Sequence, residues 1–166
     1  RIYLKQEKEK LEAGQPAEEE KVRQAIAWLT EFADQGNDFA AYALGSLYLE
    51  GVLTERDTSK AILYLTQAAD QNHVYAQLRL GKLYLTEECQ DITKAIHYLK
   101  LAANQGNSFA AYRLGRLYLL GEQVQKDVEQ AVRYLLQSAD AGNSYAQYAI
   151  GKLYLIGKEI PQDKEK

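Results

Sequence analysis

Two short signatures alternate along this chain at a nearly fixed spacing, and that alternation restricts the fold more than any single residue does. The first reads AAYALGSLYLEG from Ala40 and returns as AQLRLGKLYLTE from Ala76, AAYRLGRLYLLG from Ala110 and AQYAIGKLYLIG from Ala146. Its glycines, Gly45, Gly81, Gly115 and Gly151, recur with a period of about 35 residues. The second reads QAIAWLTEFADQGN, KAILYLTQAADQNH, KAIHYLKLAANQGN and QAVRYLLQSADAGN. Apolar residues in both follow three- and four-residue steps, the mark of helices with one buried side. A helical unit this short cannot bury its apolar face alone, so neighbouring units must stack. The predicted fold is all-α: a right-handed alpha-alpha superhelix, or solenoid, of stacked antiparallel helix pairs.

Local chemistry sets the predicted helix limits. Asp57, Asp91 and Asp127 precede the second helices, where a carboxylate accepts orphan backbone N–H groups and meets the positive end of the helix dipole. Asp127 with Gln130 has the spacing of a capping box. Glu18, Glu19 and Glu20 read as a further first-turn complement to the dipole. Past the second helices, Gly36, Gly106 and Gly142 share one register with Asn72, as left-handed residues that end a helix do.

A glycine inside a helix costs roughly 1 kcal/mol against alanine. Its return in every repeat therefore marks a spacer at which two helix backbones approach, facing alanine-rich partners such as Ala61, Ala68 and Ala69. The tyrosines recur in the same way. Tyr48, Tyr84, Tyr118 and Tyr154 stand on one helix, Tyr64, Tyr98 and Tyr134 on the other, with Trp28 in that second register. All of these are expected in the core.

Composition narrows the function classes. A net charge of −3 argues against a generally basic nucleic-acid binder. A single cysteine, Cys89, excludes an internal disulfide and suits a reducing, cytoplasmic setting. No apolar run reaches a membrane span, and no signal-peptide pattern opens the chain. The sequence begins at Arg1 and lacks methionine, as expected of a segment cut from a longer protein. His73, His97 and Cys89 match no metal-site spacing, and neither a phosphate loop nor a Ser/His/Asp pattern occurs. We therefore expect no enzyme, no cofactor and no metal.

The composite D-x-x-K-A-x-x-Y-L-x-x-A-A-x-Q-G-N-x-x-A-x-x-x-L-G-x-L-Y-x-x-G resembles the Sel-one-like repeat, a relative of the tetratricopeptide (TPR) repeat. Two departures separate it from the tetratricopeptide pattern: a longer loop between Tyr48 and Ala61, and no proline after the second helix. The resemblance divides the chain into residues 1–17, a degenerate or frayed first helix, and residues 18–166, an array of about four repeats truncated at its C-terminal side. Asp163 falls in the helix-opening register of a further block. The stretch AQYAIGKLYLIGKEIPQDKEK is also similar to arrays in relaxase-type mobilisation proteins of Gram-positive mobile elements.

In related superhelices the first helix lines the concave surface, so the resemblance implies a groove here. Its basic row would be Arg79, Lys82, Arg113, Arg116 and Lys152, and its aromatic row Tyr42, Tyr112 and Tyr148. The same cations also suit a solvated helix face, and Phe39, Tyr75, Phe109 and Tyr145 are expected to pack between repeats. Sel-one-like proteins are adaptors, several of them bacterial, which implies a protein-interaction scaffold for an acidic or aromatic peptide segment. The alternatives are a nucleic-acid contact, through stacking tyrosines and phosphate-binding cations, and a purely architectural spacer. The oligomeric state is left open.

Overall fold

A computed structural model describes residues 2–12 and 19–157. The expectations placed on Glu18, on the boundary at residue 17 and on Asp163 lie outside these residues. Among the described residues the chain is helical and contains no strand: α1 (Ile2–Glu12), α2 (Glu19–Asp34), α3 (Asp38–Glu50), α4 (Thr58–Asp70), α5 (Val74–Leu83), α6 (Ile92–Asn104), α7 (Ser108–Leu120), α8 (Val128–Asp140) and α9 (Ser144–Ile156), with a 3₁₀ turn at Glu87–Cys89. The chain divides into two compact units, Arg1–Gln77 and Leu78–Lys166.

The same capping devices act in both units. In the first, the Lys60 backbone N–H donates to Asp57 Oδ1 at 3.0 Å. In the second, Lys94 and Gln130 donate likewise to Asp91 and Asp127, both at 3.0 Å. Each of these aspartates also uses its own N–H, which donates to the carbonyl of Tyr48, Tyr84 or Tyr118. The Gly-x-x-Tyr signature is thereby tied to the start of the next helix, although the loops differ in sequence. Gly36, Gly106 and Gly142 adopt φ near +88°, and Asn72 takes φ +63° in the same register. Their left-handed conformation returns the last helical carbonyls to backbone donors: Asn37 N–H reaches Phe32 O, and Asn107 N–H reaches Ala102 O.

One set of caps is absent from the sequence reading. Asn37, Asn107 and Asn143 accept the backbone N–H of Ala40, Ala110 and Ala146 at 2.8 to 3.0 Å and so open α3, α7 and α9. His73 occupies this register before α5, and its Nδ1 accepts the Ala76 N–H at 3.2 Å. His73, which matched no metal-site spacing, serves as a helix cap.

Leu44 and Leu65 in the first unit, and Leu80, Leu99, Leu114 and Leu135 in the second, are fully buried, with alanines around them. A Cβ built on Gly45 would lie 2.6 Å from Leu65 Cγ, on Gly81 2.6 Å from Leu99 Cγ, and on Gly115 2.7 Å from Leu135 Cγ. The expected alanine neighbour is therefore a leucine that fills the space above the glycine. Gly151 differs, because a Cβ there would meet nothing within 4 Å among the described residues.

The tyrosines form stacked pairs within helix pairs. Tyr48–Tyr64, Tyr84–Tyr98 and Tyr118–Tyr134 each have ring centroids 6.1 Å apart and nearly parallel planes. Lys60 lies over Tyr48 and Lys94 over Tyr84. Two expected core positions break the series: Trp28 is 57% exposed and Tyr154 is 45% exposed. The rings that would cover them by the repeat pattern are missing among the described residues, since α1 carries no Gly-x-x-Tyr and no described helix follows α9. Phe39, Tyr75, Phe109 and Tyr145 are also exposed, but Phe39 meets the α5 cap His73, and Tyr75 meets Tyr42 and Tyr145 meets Tyr112, each across a repeat boundary.

Burial, then the carboxylate of Asp91 and Cys89, push the Tyr84 hydroxyl above its usual value. The folded protein thus holds this phenol protonated more firmly than the unfolded chain does. The resulting stability is complete below about pH 10 and is lost as pH rises through the raised value. Tyr84→Phe, which cannot ionise, should flatten this alkaline loss. Urea denaturation at about pH 8 and about pH 11 would measure it, and an equally steep loss in the variant would refute the assignment.

Candidate interaction surface

Asn107 fixes the start of α7, and Ala110, Ala111, Leu114 and Gly115 point into the core of the second unit. The helical period then turns Tyr112, Arg113, Arg116 and Leu120 toward the opposite side. These four, with Leu85 and Glu122, line a concavity of about 360 Å³. The Arg116 guanidinium carbon lies 5.9 Å from the centre of the Tyr112 ring, within cation–π range. On its other side Tyr112 stands 5.9 Å from Tyr145. Arg113 and Arg116 are exposed, so their charged heads remain in water until something displaces it.

Of the expected groove residues, this surface unites Tyr112, Arg113 and Arg116. Arg79 is half-buried on α5, Lys82 is exposed on the same helix, and neither lines the concavity. Tyr148, at 73% exposure, and Lys152 lie on α9, also outside it. Tyr42 belongs to the first unit, where its ring stacks on His73 with centroids 4.5 Å apart. The sequence reading missed Leu85, Leu120 and Glu122. Leu85 and Glu122 sit in the turns after the Gly-x-x-Tyr helices, the least regular part of the repeat. Glu122 places a carboxylate beside the two arginines, so an acidic ligand would have to compete with it.

A second concavity, of about 570 Å³, lies in the first unit between Tyr3 and the α2 residues Gln24, Ala25, Trp28, Leu29 and Phe32. Its walls are almost wholly apolar. Trp28 and Leu29 stand in the register of Tyr64 and Leu65, which in the next helix pair receive Tyr48 and Gly45. The sequence signal was the pairing of a Leu/aromatic helix with a preceding segment, KQEKEKLE, that lacks the matching glycine and tyrosine.

Among the described residues no group of histidine, cysteine, aspartate or glutamate side chains could hold a metal ion. His97 lies edge-on to Tyr98, and Cys89 is half-buried in the 3₁₀ turn. No described helix is long and apolar enough to cross a membrane.

The Sel1 repeat family model matches residues 12–37, 38–73, 74–107, 108–143 and 144–166. A crystal structure of a Sel1 repeat protein from Oxalobacter formigenes is similar over 84% of this chain and 58% of its own, with 33% identity and a TM-score of 0.74. A protective antigen of uropathogenic Escherichia coli strains, described as displaying an SLR fold, is similar over 91% of this chain and 33% of its own, with 29% identity and a TM-score of 0.70. The chain thus spans less than two thirds of the length of either. Both likenesses accord with the alpha-alpha superhelix class. No curated protein matches the chain.

Proposed function

The chain belongs to the Sel1 repeat family, and from that premise we propose that it is a non-catalytic protein-interaction scaffold whose α7 face receives an acidic peptide segment bearing an aromatic or apolar anchor. The observation that carries this reading is the convergence of Arg113, Arg116 and Tyr112 on one concavity with an apolar floor at Leu85 and Leu120. Arginine forks onto carboxylates with two parallel hydrogen bonds, and tyrosine offers flat contact area at little entropic cost. Arg116 is already steadied against Tyr112, so less freedom is lost when it engages a ligand. Neither arginine is needed for the core, which α7 fills with Ala110, Ala111 and Leu114.

The test compares capture from host lysate by the wild-type chain and by Arg113→Glu/Arg116→Glu, with and without nuclease. Reversal of both charges should leave the helical circular dichroism unchanged and reduce retention of the ligand by about tenfold or more, the loss of at least one charge-assisted contact. Proteins retained after nuclease by the wild type alone would support the reading. Recovery that vanishes with nuclease would favour nucleic acid in its place. Equal recovery by both baits would reject the α7 face.

A further inference from the structure

Four helices of the array open at one register, and three of them use asparagine there: Asn37 before α3, Asn107 before α7 and Asn143 before α9. Before α5 the residue is His73, whose Nδ1 accepts the Ala76 N–H at 3.2 Å. The amide of asparagine keeps its acceptor at every pH, whereas a ring nitrogen accepts only while it is unprotonated. His73 is 8% exposed and Ala76 is fully buried, so water has little access to the N–H that the ring holds. Three aromatic side chains surround the imidazole. From α3, Tyr42 stacks on its face with centroids 4.5 Å apart, and Phe39 stands edge-on at 5.4 Å. From α5, Tyr75 lies 6.1 Å away. From the end of α4, the Ala68 carbonyl accepts the backbone N–H of His73.

We propose that His73 is a proton-sensitive cap: on acidification it releases the first turn of α5, while the asparagine-capped helices keep theirs. In the imidazolium both nitrogens carry protons, so no rotation of the ring restores an acceptor. The Ala76 N–H then becomes a buried donor facing another donor, at the positive end of the α5 dipole. Burial, the dipole and the lost bond all oppose the charged ring, and the Tyr42 face alone favours it. Folding therefore favours the neutral ring. Its contribution is whole above about pH 6.5 and is lost as the ring protonates below that. Tyr42 and Tyr75 are the titratable residues packed on the imidazole, and phenols carry no charge in the acid range. The charged residues nearest to it along the three packed elements are Asp38 on α3, Asp70 on α4 and Arg79 on α5. The first turn of α5 ends at Gln77, the last residue of the first compact unit, so the device acts on the segment that leads into the second. It shares no residue with the α7 surface and stands apart from that reading.

Nuclear magnetic resonance of the 166-residue chain tests it, in a His97→Gln background that leaves His73 as the one histidine. Long-range proton–nitrogen spectra at about pH 8 should show a neutral ring with its proton on Nε2. As pH falls to about 5, the ring nitrogens and the Ala76 amide should shift together with one midpoint. Over that range the hydrogen-exchange protection of the Ala76 N–H, corrected for the intrinsic rate, should drop roughly fivefold to tenfold, the equivalent of one lost cap. The Ala40, Ala110 and Ala146 N–H groups, held in the same register by asparagine, should keep their protection. His73→Asn should hold the Ala76 protection throughout, which separates the imidazole from the titration of Asp38 and Asp70. If that variant misfolds, the shared midpoint of ring and amide, with the asparagine-capped amides unmoved, carries the test. A ring protonated on Nδ1 at about pH 8, a ring still neutral at about pH 5, or ring and amide midpoints that differ would overturn the proposal. So would Ala76 protection that falls equally in His73→Asn.

Discussion

Gly81→Leu should lower the melting temperature by about 10 °C, the equivalent of roughly 3 kcal/mol in a domain of this size. The reason is geometric. A Cβ alone would sit 2.6 Å from Leu99 Cγ, 2.7 Å from Leu99 Cδ2 and 3.3 Å from the Leu99 backbone nitrogen. Leucine adds three further carbons to that position, and Leu99 is fully buried with no space into which to rotate. The α5–α6 spacing would have to widen, while Asp91 N–H, bonded to Tyr84 O, holds the two helices at their shared turn. Gly151→Ala is the counterpart of opposite sign. Nothing among the described residues lies within 4 Å of that Cβ, so the substitution should raise stability by about 1 kcal/mol through helix propensity alone. Equal effects at the two glycines would show that packing has no part in the motif, and an unchanged melting temperature for Gly81→Leu would remove the spacer account entirely.

The features legible in the sequence were those set within a few residues of chain. The period, the Asp57, Asp91 and Asp127 caps and the left-handed register of Gly36, Asn72, Gly106 and Gly142 all depend on local backbone chemistry, and the structure reproduces them. The His73 cap was legible in principle, since it shares a register with Asn37, Asn107 and Asn143, but asparagine is the familiar capping residue and imidazole is not. Burial was less legible. Trp28 and Tyr154 carry the same local pattern as Tyr64 and Tyr118, yet their exposure is decided by whether a neighbouring helix supplies the other half of the joint.

Which exposed side chains converge depends on the turns as well as on the helix period. The basic and aromatic rows read from successive first helices hold as registers, and of their residues Tyr112, Arg113 and Arg116 line the concavity on α7. Leu85 follows α5, Glu122 follows the left-handed Gly121, and those turns decide what stands beside the arginines. A register shared by several repeats therefore predicts packing, whereas which exposed side chains stand together depends also on the turns. Packing is repeated in every unit, whereas a ligand needs one particular set of neighbours.

Leu135 permits the strictest test of the glycine–leucine joint. It is fully buried, and Leu135→Ala should cost about 2–5 kcal/mol through lost burial and the cavity left behind. Gly115→Ala alone should also destabilise, because its Cβ would stand 2.7 Å from Leu135 Cγ and 2.8 Å from Cδ2. Together the two should cost less than the sum of the single changes, since truncating Leu135 removes the atoms that the new methyl group would strike. The coupling should reach roughly 1–3 kcal/mol, the range for residues in direct contact. Rescue will be incomplete, because the Ala131 carbonyl oxygen remains 3.2 Å from the added carbon whatever occupies position 135. Urea denaturation of the four members of the cycle measures this term, with hydrogen exchange at α8 and α9 to detect unfolding confined to those repeats. Additive effects within about 0.3 kcal/mol would mean that Gly115 and Leu135 act independently, and the joint common to the three internal helix pairs would then need another explanation.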